Sequence, residues 1–148
     1  MTLYYQGAET LILDDWLEAV FAADTGSDGV ATLATGGWYP DIAKRKTQPP
    51  YIVWQHQVPP VDALTATDAS VAVAGVVLIK VIIQNRSYAP ARPILSRIVS
   101  LIDRAQADIA NGRILAVTRR GSFRQAETGD NVEYRTLGYF FDYQAQAL

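Results

Sequence analysis

The residues able to do chemistry in this chain are few and scattered. There is one histidine, His56, and no cysteine. His56 sits in the run Tyr51–Gln57, where strand alternation puts it on one face with Ile52 and Trp54. A lone histidine without cysteines or a neighbouring carboxylate cluster is a poor metal site, so it reads as a packing residue or an edge hydrogen bond. Asp14 and Asp15 are adjacent. Neighbours on a helix point about 100° apart and cannot converge on one proton or metal, so both read as helix surface. Ser122 follows Gly121 but lacks the second glycine of a nucleophile elbow. Gly36–Gly37 has no lysine–serine/threonine pair behind it and is no phosphate loop. These residues point to no catalytic constellation, no metal and no cofactor.

What remains is contact chemistry. Lys44–Arg45–Lys46 is a short basic stretch, read as a solvated loop. Arg119, Arg120 and Arg124 form a second basic cluster, with Glu133 and Arg135 able to pair across the turn. Trp38 and Tyr39 lie beside Pro40, where large aromatics either tuck onto their own domain or anchor an interface. The candidate oligomer or partner interface is Trp38, Tyr39, Val71, Val73, Val77, Arg119, Arg120 and Arg124.

The three valines belong to the apolar run Val71–Ile83, VAVAGVVLIKVII, which only Lys80 and Gly75 interrupt. Its β-branched content reads as a strand. It does not alternate with polar residues, so both faces are expected to be covered, by the protein's own helices or by another chain. Thirteen residues with a lysine are too few to span a bilayer, which takes roughly 20 as a helix, so no membrane is expected.

Other elements must position that strand. Leu13, Trp16, Leu17, Val20 and Phe21 make one apolar stripe on a helix from about Gly7 to Ala23. Residues 26–50 read as a long loop with one short strand near Val30–Leu33. Tyr51–Gln57 is the next strand, ended by Pro59–Pro60, and residues 59–70 form a loop. The long strand follows to Asn85. Pro90 and Pro93 open a second helix carrying Ile94, Ile98, Leu101, Ile102, Ala105 and Ile109, stopped at Asn111–Gly112. Strands at Ile114–Arg124 and Val132–Gln144, joined by a turn at Glu127–Asp130, make a hairpin whose polar end projects from the body. The expected fold is α+β. It has an antiparallel sheet of about four main strands with two helices packed on one face, in the order helix-strand-strand-helix-strand-strand, forming one domain over residues 1–148.

Composition bounds the partners. The net charge of −2 gives no general argument for nucleic-acid binding. Six of the 15 acidic residues, and none of the 13 basic ones, lie in residues 1–28. An acidic first helix beside a more basic remainder is either a solvated face or a complement to another copy. With no cysteine and no signal-peptide pattern at Met1–Thr10, a cytoplasm-like compartment is expected, or a particle packaged from one.

Pro50–Tyr51–Ile52–Val53–Trp54–Gln55, the strand ending Val81–Ile82–Ile83, the helix running into Arg113–Ile114, and the hairpin with Leu137–Gly138–Tyr139–Phe140 together resemble the tail terminator, or tail completion, proteins of long-tailed bacteriophages and phage-like particles. The resemblance implies a non-enzymatic virion protein, assembled in the bacterial host cytoplasm. It would form a ring with itself, usually a hexamer, at the head-proximal end of the tail. Its partners would be the tail tube protein and the head–tail connector, with DNA only as passing cargo. Two alternatives stay open: a small dimeric ferredoxin-like enzyme or ligand-binding domain, or, within the resemblance, another head–tail or minor tail protein of the same kind of particle.

Overall fold

A computed structural model describes residues 6–67, 70–110, 112–129 and 131–147. Asn111 and Asp130, read from the sequence as part of a helix stop and a turn, lie outside the described residues, as does the side chain of Val71. In chain order the elements are α1 (Gln6–Ala23), α2 (Val30–Leu33), β1 (Trp38–Pro40), β2 (Tyr51–Thr67), β3 (Ser70–Gln84), α3 (Arg92–Ile102), β4 (Ala107–Ile109), β5 (Gly112–Gly129) and β6 (Val132–Ala147), with a short 3-10 turn at Ala89–Ala91 before α3.

The strands form one sheet in the order β1-β2-β3-β6-β5-β4. β1 runs parallel to β2 and every other pairing is antiparallel. The expected four-stranded antiparallel sheet is therefore corrected to a six-stranded, mixed, curled one in which strand outweighs helix. Four local causes account for the difference. Trp38–Pro40, read as loop, pairs in parallel with Ile52–Trp54. Val30–Leu33, read as a strand, is a single helical turn whose first N–H is accepted by the Asp24 carboxylate at 2.8 Å. The second helix ends at Ile102, because Arg104 takes a left-handed φ of 64° and turns the chain into β4. Pro59 and Pro60 do not end β2. The strand continues to Thr67 through register shifts between His56 and Val58 and between Val58 and Val61, where missing N–H groups are tolerated.

The C-terminal hairpin does not project as expected. β6 pairs with β3 from Tyr134 to Ala147, which places β6 in the middle of the sheet. Only Gly129, Val132 and their immediate neighbours extend past β3.

The core lies where α1 and α3 meet one face of the sheet. Leu13, Trp16, Leu17 and Phe21 of α1 and Ile94, Ile98 and Ile102 of α3 are buried against Ile52, Trp54, Val73, Val77, Ile79, Val81, Ile83 and Phe141. Phe21 meets the Trp54 ring edge-on at 5.9 Å between centroids. The two faces of β3 differ. Odd-numbered residues from Val73 to Ile83 are buried, whereas on the other face Leu78 is buried and Ala72, Ala74, Val76, Lys80 and Ile82 are half-buried.

Gly75 is needed for a cross-sheet contact. A Cβ there would lie 2.7 Å from the Tyr143 hydroxyl. Without one, the Tyr143 ring lies across β3 and reaches β2.

Candidate functional site

The polar centre of the molecule joins three elements. His56 on β2 lies between Asp14 of α1 and Tyr143 of β6. Its Nε2 is 3.1 Å from Asp14 Oδ1, and its Nδ1 is 3.1 Å from the Tyr143 hydroxyl. Trp54 Nε1 donates to the same Asp14 oxygen at 2.7 Å. A carboxylate only accepts, so the neutral tautomer with Nε2–H satisfies every group: Trp54 and His56 donate to Asp14, and Tyr143 O–H donates to Nδ1. Asp14 is therefore not helix surface. Adjacent Asp15 is exposed, as the 100° argument requires of the pair. The arrangement holds α1 on the sheet by polar contacts in a half-buried site at the margin of the apolar core.

The residues expected at an interface occupy three different environments. Trp38 is half-buried, edge-on to Phe21 at 6.4 Å, and the Tyr39 hydroxyl donates to the Gly36 carbonyl at 2.7 Å, so both rings are anchored in their own protomer. Val73 and Val77 are buried in the core, and Val71 pairs through its backbone with Ala147.

Arg119, Arg120 and Arg124 are exposed. They do not form one cluster. Arg119 and Arg124 pair with Phe141 and Leu137 and so share the helix-covered face, whereas Arg120, at the register shift, reaches Asp142 at 3.5 Å on the opposite face. The Arg119 guanidinium lies 5.0 Å from the Tyr139 ring centroid. Tyr88 is flanked by Arg124 at 5.6 Å and Arg135 at 5.9 Å. Sequence reasoning missed Tyr88. A single tyrosine in a Ser–Tyr–Ala–Pro loop carries no spacing signal, and only the β5–β6 register brings arginines over it.

On the open face, a groove of about 450 Å³ runs under the Asp41–Thr47 loop. Tyr51, Gln55, Lys80, Glu127 and Tyr134 line it, with Lys44 and Lys46 at the rim. Burial lowers the Lys80 ammonium pKa, and burial raises that of the Tyr51 phenol. Among the described residues no three His, Cys, Asp or Glu side chains converge as a metal site, and no helix is long and apolar enough to cross a membrane.

A family model described as "Tail completion protein gp17" matches residues 18–145. No curated protein matches the chain. Among solved structures, a chain from "Virion of native gene transfer agent (GTA) particle" superimposes with a TM-score of 0.62 at 16% identity, over 88% of this chain and 94% of that one. A second solved chain, 15% identical over the same shares of each chain, has a TM-score of 0.49, too low to bear on the fold.

Proposed function

From the premise that this chain belongs to the tail completion protein gp17 family, we propose that it is a structural subunit of a homo-oligomeric ring, six-fold in the simplest case, on the head-proximal end of a phage-type tail. There it ends tube polymerisation and offers the surface to which the head docks. The observation that carries the reading is the family match, which spans the whole sheet from β1 to β6 except the last two residues of β6. The fold likeness to a chain in a gene transfer agent virion supports it.

A ring subunit needs two unlike surfaces that fit each other, because a head-to-tail contact closes only by rotation. In this reading the exposed Asp15 and Glu18 on α1 and the exposed arginines on β5 supply opposite charges to two such surfaces. Arginine and tyrosine together, as at Arg119–Tyr139 and Arg124–Tyr88, are the residue types that dominate interface energetics. The reading assigns the protein no enzymatic role. It assigns it to the virion and gives it the tail tube and head–tail connector as partners.

The test is the triple replacement of Arg119, Arg120 and Arg124 by Glu. Surface changes of this kind cost about 0.5 kcal/mol or less each, so the protomer should fold and give an unchanged far-UV circular dichroism spectrum. Tails assembled with it should be overlong or headless by electron microscopy. Normal, head-bearing tails would remove the arginines from the interface.

A further inference from the structure

Two long strand edges have no strand neighbour among the described residues. β1 covers β2 only over Ile52–Trp54, and Asp41 N–H reaches the Trp54 carbonyl just beyond. From His56 to Thr67 the outer side of β2 pairs with no strand. β4 covers β5 only over Gly112–Ile114, and Arg104 N–H to the Val117 carbonyl and Arg119 N–H to Asp103 occupy the next positions. From Arg120 to Gly129 the outer side of β5 pairs with no strand. Such edges are templates for strand addition.

The two edges complement each other in direction, charge and height. β2 and β5 run in opposite directions, since three antiparallel pairings separate them. When copies stand side by side in one orientation about an axis, β2 of one copy therefore meets β5 of the next antiparallel, which is the more stable ladder. Residues 56–67 include Asp62 and no Lys or Arg, whereas residues 118–129 include Arg119, Arg120 and Arg124 against Glu127. Two β5 edges would repel, but β5 against β2 would not.

The open part of β2 lies beside the first half of β3, from Val58↔Val76 to Thr67↔Ser70. The open part of β5 lies toward the other end, ending at Gly129↔Val132. That offset is what a closed, tilted sheet demands. Four strands about 4.8 Å apart, tilted roughly 35–45°, shift neighbouring copies along the strands by about 13–19 Å, or roughly four to six residues. A shift of this size brings Gln57 beside Phe123–Gln125. In that antiparallel register Val61 falls beside Arg119–Gly121, where the open part of β5 begins, and Pro59 and Pro60 lack an N–H, so the ladder is confined to His56–Val58 and Val61–Asp62.

We propose that the partner at both edges is a second copy of this chain: the outer side of β2 in one copy pairs with the outer side of β5 in the next, and the sheets run on from subunit to subunit around the ring. This inference rests on the ring reading above and names the contact that closes it.

The chain has no cysteine, so introduced thiols report without background. Gln57→Cys would be combined in turn with Phe123→Cys, Gln125→Cys and Glu127→Cys, each checked for folding by circular dichroism. Each assembly would be oxidised mildly and run without reductant, with mass by light scattering and electron microscopy on the same samples. At least one double variant should give a ladder of multimers ending at the ring size, while each single variant stays monomeric on the gel. Dimers from a single variant would mean that like edges meet, and would overturn the proposal. Rings or capped tails without a ladder in any double variant would overturn it and leave the ring reading standing. Absence of rings, of capped tails and of any ladder would sink both.

Discussion

At the scale of residues, the informative groups are those whose partners lie far along the chain. Asp14 and His56 are 42 positions apart, and His56 and Tyr143 are 87 apart. Replacing Asp14 by Ala leaves Trp54 Nε1 and His56 Nε2 without their acceptor in a half-buried site. Each orphaned donor costs about 1–3 kcal/mol, so with two of them urea unfolding should show a loss of about 2–6 kcal/mol. His56→Gln keeps a donor and an acceptor and should cost less than Asp14→Ala. An equal loss would mean that histidine's ring shape, rather than hydrogen-bond satisfaction, sets the stability.

A second residue pair gives a pH dependence. Arg97 holds Asp24 through two hydrogen bonds, at 2.8 and 2.6 Å, and the Val30 N–H adds a third. The hydrogen bonds from Arg97 lead in lowering the Asp24 carboxyl from 3.8 to about 2. A carboxyl depressed in the folded state stabilises it above its unfolded pKa and loses that contribution as pH falls through the folded one. The contribution is thus complete above about pH 4 and is lost between about pH 4 and pH 2. Asp24→Asn should flatten the stability profile in that window while lowering stability at pH 7. Parallel acid-unfolding curves for the two proteins would contradict this.

At the scale of elements, β3 shows how a strand's two faces are used. Its odd residues meet α1, α3 and the Tyr143 ring, and Gly75 provides the gap that the ring crosses. Gly75→Ala should displace Tyr143 from His56 and cost about 1–3 kcal/mol, as overpacking of a filled core does. Urea unfolding with near-UV circular dichroism checks it; an unchanged tyrosine signal would mean the ring does not occupy that gap. The apolar helix stripe and the β-branched run were legible in the sequence because burial writes its period directly into residue types. The continuation of β2 past two prolines was not legible. Proline states that a donor is missing, but whether that donor faces a partner or an open edge depends on the neighbouring strand. The short β1 and β4 have three residues each, too few to show any period.

At the scale of the whole molecule, charge is split between an acidic first element and a basic fifth strand. If unlike charges steer copies together, assembly should slow as salt rises, because a Debye length of about 10 Å at 0.1 M falls to about 3 Å at 1 M. Light scattering against time at several sodium chloride concentrations measures this. A rate independent of salt would assign association to backbone pairing and apolar contact alone.

The sequence by itself determined the apolar stripes of α1 and α3, the lack of thiol chemistry, the uneven charge, and, through Pro50–Gln55 and the strands and helix beside it, the family. These are properties of residue type and near-neighbour spacing, which local physics records. Only the tertiary structure decided the six-stranded mixed order, the central place of β6, the separation of Arg120 from Arg119 and Arg124, and the Asp14–His56–Tyr143 contacts. Each of these depends on which strand lies beside which and in what register. A one-residue difference in pairing moves a side chain to the opposite face, and no run of residues read alone contains that information.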